Sequence, residues 1–427
     1  MDTLITRIQE GDFFRERDRY EEAITSYQEA LVIDPENAHV HHMMAYTYFL
    51  QDDSKTSLDK AITHIDQAIG SEPDNAYLFA FKGFVYVHDE QHKKALKWAN
   101  QALAIDASCA LAWLVTGQAH MQTREWKSAE SALRAALKID PDFIEAKNLL
   151  VSVLRSQNRI GEASMISGEV LSRDADNAMA HANKGYNHLY QEETKQAEDH
   201  FLAALRLEPN QEFAKEGLKQ TYRARSFIYR SYLRYINFMQ RFSEKKSFGF
   251  VIALIVGFRI LRKIVESFSP ILSAALIAVY LCFAFGSVLA TMIGNSMILK
   301  DPVARLVLNR LEYLSGFVGI GFLCCLVTLP FVAYFKWYAL LVLVVGFMIS
   351  CIPTAHALES ETPKGKYIFG GVSVFGLVVT VVVSLALAFN GQQTSALPFW
   401  LICAGFGGMG VSLLSTWLTW IPGLKTR

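Results

Sequence analysis

Few side chains in this sequence could do chemistry. His39-Val40-His41-His42 sets three imidazoles in four positions, the density of a metal site. On a helix, His39 and His42 share a face and His41 does not, so at most two converge. No Asp, Glu or Cys stands at a spacing that would complete a ligand set. The six cysteines (Cys109, Cys282, Cys324, Cys325, Cys351 and Cys403) form no Cys-x-x-Cys, and five of them lie in apolar runs. They read as small apolar fillers, which fits a reducing compartment. His356, with Glu359 a helical turn away, is the remaining acid–base pair. No Gly-rich phosphate loop, Gly-x-Ser-x-Gly elbow or paired-carboxylate signature occurs. The sequence therefore predicts no catalytic residue, no metal and no cofactor.

The elements around these residues live in two different solvents. The 427 residues carry 41 Lys+Arg and 41 Asp+Glu, a formal net charge of zero that excludes a strongly basic nucleic-acid binder. Residues 1–220 hold 23 Lys+Arg and 35 Asp+Glu, while residues 221–427 hold 18 and 6. The first half is thus −12 and the second +12, and the second has too few charges for an ordinary soluble domain. The stretch Met1–Arg7 lacks the apolar run of a secretory signal, which predicts that the first half stays where it is made.

The first half repeats itself. Six units run about 4–37, 38–75, 76–109, 110–143, 144–177 and 178–211, five of them 34 residues long and the second 38. A small eighth residue recurs as Gly11, Ala45, Gly83, Gly117 and Gly185, with Val151 departing from the pattern. An alanine in the second helix recurs as Ala23, Ala61, Ala95, Ala129, Ala163 and Ala197. Seven residues on stand Ala30, Ala68, Ala102, Ala136, Val170 and Ala204, and a closing proline is kept as Pro35, Pro73, Pro141 and Pro209. This period and these positions resemble the tetratricopeptide repeat family. Each unit is then a helical hairpin that cannot bury its apolar face alone, so neighbours stack into a solenoid with a concave face.

The resemblance also implies where a partner would sit, because positions 2, 5, 9, 12 and 13 of each first helix line the family's groove. In this sequence those positions supply His39, His42, Tyr46, Phe49, Tyr77, Phe84, His88, Leu111, Leu114 and Met121, with Tyr186 and Tyr190 from the sixth unit. Aromatic and apolar side chains dominate, which predicts a groove for an apolar or helical segment of a protein partner. The first unit offers Ile5, Ile8 and Asp12 in place of the basic residues that a carboxylate clamp needs.

Residues 212–246 read as a cap followed by a basic amphipathic helix. Arg223, Arg230, Arg234 and Arg241 form a narrow stripe opposite Ile228, Tyr232, Tyr235, Ile236, Met239 and Phe242. Arg230, Arg234, Arg241, Lys245 and Lys246 are expected at an anionic membrane surface; the alternative is a cap whose arginines face the acidic repeats.

Residues 247–427 contain apolar stretches at about 270–294, 313–335, 337–357, 367–389 and 398–421, with a shorter one at 247–265. Six crossings with both ends inside satisfy the positive-inside rule. The spans lack the buried charges of ion-coupled transporters, and Gly316-x-x-Gly319-x-Gly321 and Gly405–Gly410 read as close-packing faces. The layout resembles bacterial multi-pass membrane proteins with cytoplasmic tetratricopeptide arrays. The segments that carry this likeness are Tyr229–Tyr235, Gly257–Arg262 and Asp301–Leu308.

The sequence thus predicts an all-α chain: a repeat solenoid (1–211), a junction (212–246) and a polytopic transmembrane helix bundle (247–427). Its expected role is a membrane-anchored scaffold in a bacterial inner membrane, with the repeats cytoplasmic. The expected partners are a protein in the groove, the lipid bilayer, and membrane-protein subunits or further copies of the chain, with no nucleic acid. A channel or transporter with regulatory repeats is the runner-up, and a lipid-acting membrane enzyme using His356 and Glu359 is the third reading.

Overall fold

A computed structural model describes residues 2–52, 54–241, 256–265, 286–301, 304–334 and 363–389, with single positions at 253, 340, 343, 347, 350, 354, 357 and 358. Twelve helices form the hairpins. They are α1 (Asp2–Arg15), α2 (Tyr20–Ile33), α3 (Ala38–Gln51), α4 (Lys55–Ser71), α5 (Ala76–His88), α6 (His92–Ile105), α7 (Ala110–Gln122), α8 (Trp126–Ile139), α9 (Ile144–Ser156), α10 (Ile160–Arg173), α11 (Ala178–Tyr190) and α12 (Thr194–Leu207). Then follow α13 (Glu212–Arg223), α14 (Phe227–Gln240), α15 (Gly286–Ile298), a 3₁₀ turn (Ala304–Val307), α16 (Arg310–Tyr334) and α17 (Pro363–Phe389).

The chain divides into two compact units. One comprises residues 1–190 and 239–248, the other 191–238 and 249–427.

In the first unit the hairpins start where the repeat pattern puts them. Asn37, Asn75 and Asn177 cap α3, α5 and α11, their side-chain oxygens accepting the amides of Val40, Tyr77 and Ala180. Four of the hairpin turns are closed without glycine. Asp18, Glu90, Arg124 and Asn158 take positive φ of 57°, 56°, 56° and 65°. The next amide in each case reaches back five residues: Arg19 to Phe14, Gln91 to Tyr86, Glu125 to His120 and Arg159 to Leu154. This is the Schellman closure, which satisfies carbonyls that the helix end leaves open.

The recurring alanines fill the seams. Ala23, Ala61, Ala95, Ala129 and Ala163 are fully buried, as are Ala30, Ala68, Ala102 and Ala136. Gly117 shows why the eighth residue is small: a Cβ there would lie 2.7 Å from Cγ of Leu133, which is itself buried.

In the second unit α12 packs on α13, and α13 packs on α15 and on the 3₁₀ turn. Gly217 leaves room for the Phe201 ring, which fills the seam between α12 and α13. α15 and α16 pack closely because Gly316 and Gly319 face the α15 backbone near Asn295 and Met292, the close approach expected of that glycine spacing.

Among the described residues no helix is long and apolar enough to cross a membrane. The expected spans at 313–335 and 367–389 fall largely on α16 and α17. The span at 398–421 and the Gly405–Gly410 face lie outside the described residues. So do most of 247–265, 270–294 and 337–357, as well as His356 and Glu359.

Candidate partner-binding groove

Rings line the groove of the second and third repeats. Tyr46 meets Phe81 edge-on, with centroids 5.9 Å apart. Phe49 packs on Phe84 at 5.2 Å and on His88 at 4.8 Å. His42 stands edge-on to Tyr77 at 5.3 Å and to Phe81 at 5.2 Å, and the Arg15 guanidinium lies 5.5 Å from the Tyr46 ring centroid. Tyr77 and His88 are exposed, His42, Tyr46, Phe49 and Phe84 half-buried. The wall therefore presents ring surface to an incoming chain.

The three neighbouring histidines separate as the helical period requires. His39 is exposed. His41 turns into the core, where its Nε2 lies 2.9 Å from the Pro35 carbonyl oxygen and its Nδ1 3.1 Å from Nδ1 of His64. His42 faces the groove with Nε2 buried and unpartnered. An unpaired buried imidazole nitrogen in a wall of rings is a polar address that an occupant can satisfy.

Burial, with His39 and Arg15 nearby, pulls His42 down to about 4, and burial beside His41 pulls His64 down to about 4. The folded chain then binds fewer protons than the unfolded chain between about pH 6.5 and 4, so stability falls as pH drops through that window. The thermal midpoint followed by circular dichroism should decline from pH 7 to pH 5, and the decline should shrink in His64→Gln. A midpoint constant over that range would refute this.

The other expected groove residues divide between wall and core. Leu111 and Met121 are partly buried against the core. Leu114 is enclosed, at 2 % exposure, so it supports the wall from behind. Tyr186 and Tyr190 flank Arg155, with the guanidinium carbon 5.1 Å and 5.8 Å from their ring centroids.

Arg155 was not singled out from the sequence, and it is the main polar feature of this end of the groove. The signal was available, because position 12 of the fifth unit's first helix is Arg155, while positions 5 and 9 are Asn148 and Ser152. One guanidinium nitrogen reaches Oδ1 of Asn183 at 3.5 Å and of Asn187 at 3.4 Å, and the other reaches Oγ of Ser152 at 3.2 Å. Asn183 donates in turn to Oδ1 of Asn148 at 3.1 Å.

The arginine stripe meets protein groups. Arg223 is buried and donates to Oδ1 of Asn295 at 2.7 Å, pairing also with Glu216 and Glu312. Arg234 grips Glu192 through two bonds of 2.6 and 2.7 Å, and Arg241 donates to Oδ1 of Asn158 at 2.9 Å. Glu192 and Asn158 are both residues of hairpin turns with positive φ. Arg230 has a buried, unpartnered Nε. Lys245 and Lys246 lie outside the described residues.

A family model of the TPR repeat matches residues 11–52, and one of the tetratricopeptide repeat matches residues 106–143. No curated protein matches the chain. Among solved structures it is similar to a tetratricopeptide repeat protein from Parabacteroides merdae, at 18% identity and TM-score 0.45, over 51% of this chain and 84% of that one. It is also similar to PilW, a type IV pilus biogenesis factor, at 20% identity and TM-score 0.43, over 51% and 99% of the two chains. PilF of Pseudomonas aeruginosa is similar at 17% identity and TM-score 0.40, over 50% and 96%.

Proposed function

We propose that this chain is a membrane-anchored scaffold whose tetratricopeptide repeats hold an apolar, helical segment of a protein partner on the cytoplasmic face of a membrane. The observation that carries the reading is the ring wall of Tyr46, Phe49, Phe81, Phe84 and His88, with His42 offering an unpaired nitrogen in its midst. Rings give contact area at little entropic cost, and a buried polar atom sets the register of whatever covers it.

Anchoring is supported by the faces that α16 and α17 leave open. Val374, Phe375, Val378 and Val381 form one exposed stripe on α17, and Leu314, Phe317 and Ile320 form another on α16. Contiguous apolar stripes of this kind are rare on surfaces that face water. The segments that contain them carry no charge from Leu314 to Phe335 or from Tyr367 to Phe389.

One experiment tests both parts. Membranes holding the tagged chain are washed with alkaline carbonate, dissolved in mild detergent and taken through affinity capture. The chain should stay in the washed pellet and bring a partner with it. The variant with Tyr46, Phe49 and Phe84 all changed to Ala should stay in the pellet and lose that partner by roughly tenfold or more. Release by carbonate removes the anchor from the proposal, and full partner recovery with the triple variant removes the groove.

A further inference from the structure

The turn between α15 and α16 sorts its charges onto two sides. Its acids face protein: Asp301 pairs with Arg225 at 3.5 Å, and Glu312 with Lys219 at 2.8 Å and Arg223 at 3.3 Å. Its cations, Lys300, Arg305 and Arg310, are exposed, and none has a carboxylate partner among the described residues. Local hydrogen bonds hold this arrangement. Oδ1 of Asp301 accepts the Ala304 amide at 3.2 Å. The Asn309 amide donates to Glu312 at 3.0 Å and the Glu312 amide to Oδ1 of Asn309 at 2.8 Å, a capping box that starts α16. Arg310 is then the first residue of α16, where the helix dipole disfavours a cation. Neither an ion pair nor the dipole accounts for an arginine at that position.

Apolar surface continues from these cations. On α16, Arg310 shares a face with Tyr313, Leu314, Phe317 and Ile320, all exposed. The same order recurs on α17. Lys364 and Lys366, exposed and without a carboxylate partner among the described residues, precede Tyr367 at 81 % exposure. Val374, Phe375, Val378 and Val381 follow, also exposed. Two helices thus run from cation to tyrosine to apolar stripe, beginning at their first turn. A basic patch made for an acidic protein has no need of the stripe. Anionic lipid answers all three parts, with phosphate for the cation, the headgroup boundary for the phenol and acyl chains for the stripe.

We propose that the α15–α16 turn and the first turn of α17 bind anionic phospholipid. Lys300, Arg305, Arg310, Lys364 and Lys366 take the headgroup phosphates, Tyr313 and Tyr367 lie at the boundary, and the stripes face acyl chains. A zwitterionic headgroup brings its own cation, so five unpaired charges select lipid of net negative charge. The contact belongs to these helices and not to α14, whose Arg234 and Arg241 hold Glu192 and Asn158. The proposal rests on the anchoring half of the scaffold reading and adds the lipid class and the residues that choose it.

The test uses the full-length chain in mild detergent and acyl-labelled fluorescent phosphatidylglycerol, with labelled phosphatidylcholine as its zwitterionic twin. Anisotropy should show phosphatidylglycerol binding at least tenfold more tightly at about 0.1 M salt, and the preference should collapse at about 1 M, where charges are screened beyond about 3 Å. Changing Lys300, Arg305 and Arg310 together to Gln should cut the preference at least threefold. Adding Lys364→Gln and Lys366→Gln should abolish it. All five side chains are exposed, so the thermal midpoint should hold, and the salt series on the parent chain serves even if a variant fails to fold. Arg234→Gln should leave the preference unchanged. Equal binding of the two lipids, a preference that persists at high salt or in the fivefold variant, or its loss in Arg234→Gln overturns the proposal. So does displacement of phosphatidylglycerol by inorganic phosphate at matched ionic strength, which would make the turn a receptor for the free anion. Tighter binding of polyglutamate overturns it too, by assigning the turn to an acidic protein. The carbonate wash separates the two readings. A chain that stays in the pellet without a lipid preference keeps its anchor and loses this proposal, whereas release by carbonate removes both.

Discussion

Changing Glu312 to Gln should cost the folded chain about 3 kcal/mol, the scale for removing one partner from a buried ion cluster. Glu312 opens α16, and its carboxylate accepts from Nζ of Lys219 at 2.8 Å, from Arg223 at 3.3 Å and from the Asn309 amide at 3.0 Å. Lys219 and Arg223 have only 8 % and 6 % of their side chains exposed, so solvent screens them little. Their other carboxylate, Glu216, is 41 % exposed and would be left to balance two enclosed cations. Gln keeps the shape and one carbonyl oxygen but loses the charge. The check is a thermal-unfolding series in mild detergent with a double-mutant cycle through Lys219→Met. The double variant should recover much of the loss, because the stranded cation is gone. A single variant that melts with the parent chain would show that the cluster adds nothing to stability.

Gly319→Ala should have an effect of similar size, about 3 kcal/mol, for a steric reason. A Cβ at Gly319 would overlap the Met292 carbonyl oxygen and lie 2.8 Å from its carbon. Those are backbone atoms of α15, so no side chain can swing away and the two helices must separate. Gly316→Ala should cost less, because its nearest obstacle is the flexible end of Leu299 at 2.8 Å. Gly370→Ala in α17 is the control. Nothing lies within 4 Å of its Cβ position, and Ala is the better helix former by about 1 kcal/mol. The expected order of thermal midpoints is therefore Gly370→Ala at or above the parent, then Gly316→Ala, then Gly319→Ala. Equal midpoints for the two extremes would refute the close α15–α16 packing.

Much of the hairpin array was legible in the residues. Alanines seven apart within each second helix, and prolines closing four of the units, mark seams and ends wherever they occur, because close helix approach needs small side chains and a helix cannot run through proline. The hairpin turns were less so. Asp18, Glu90 and Arg124 hold a left-handed backbone that usually selects glycine, and they do so because the packing of the two helices on either side imposes it. Most of the ring wall lies at positions that the family resemblance implies for the groove, although Phe81 does not. Leu114 illustrates the limit of that reasoning, since a groove position on paper proved to be enclosed core once its neighbours were in place.

What the sequence determined by itself was therefore local: the helices, the hairpin period, the segregation of charge, and which face of each helix carries its rings. What only the tertiary structure decided was which charges meet. Arg223 belonged to the same stripe as Arg234 and Arg241, yet it turns inward to a glutamate 89 residues away, while Arg234 holds the turn residue Glu192. Arg155 had the same formal charge as Lys147 on the same helix, but Lys147 finds Glu169 and Arg155 finds two asparagines. Periodicity assigns a side chain to a face. The free energy of a buried charge depends on the atoms within a few ångströms of it, and those come from distant parts of the chain.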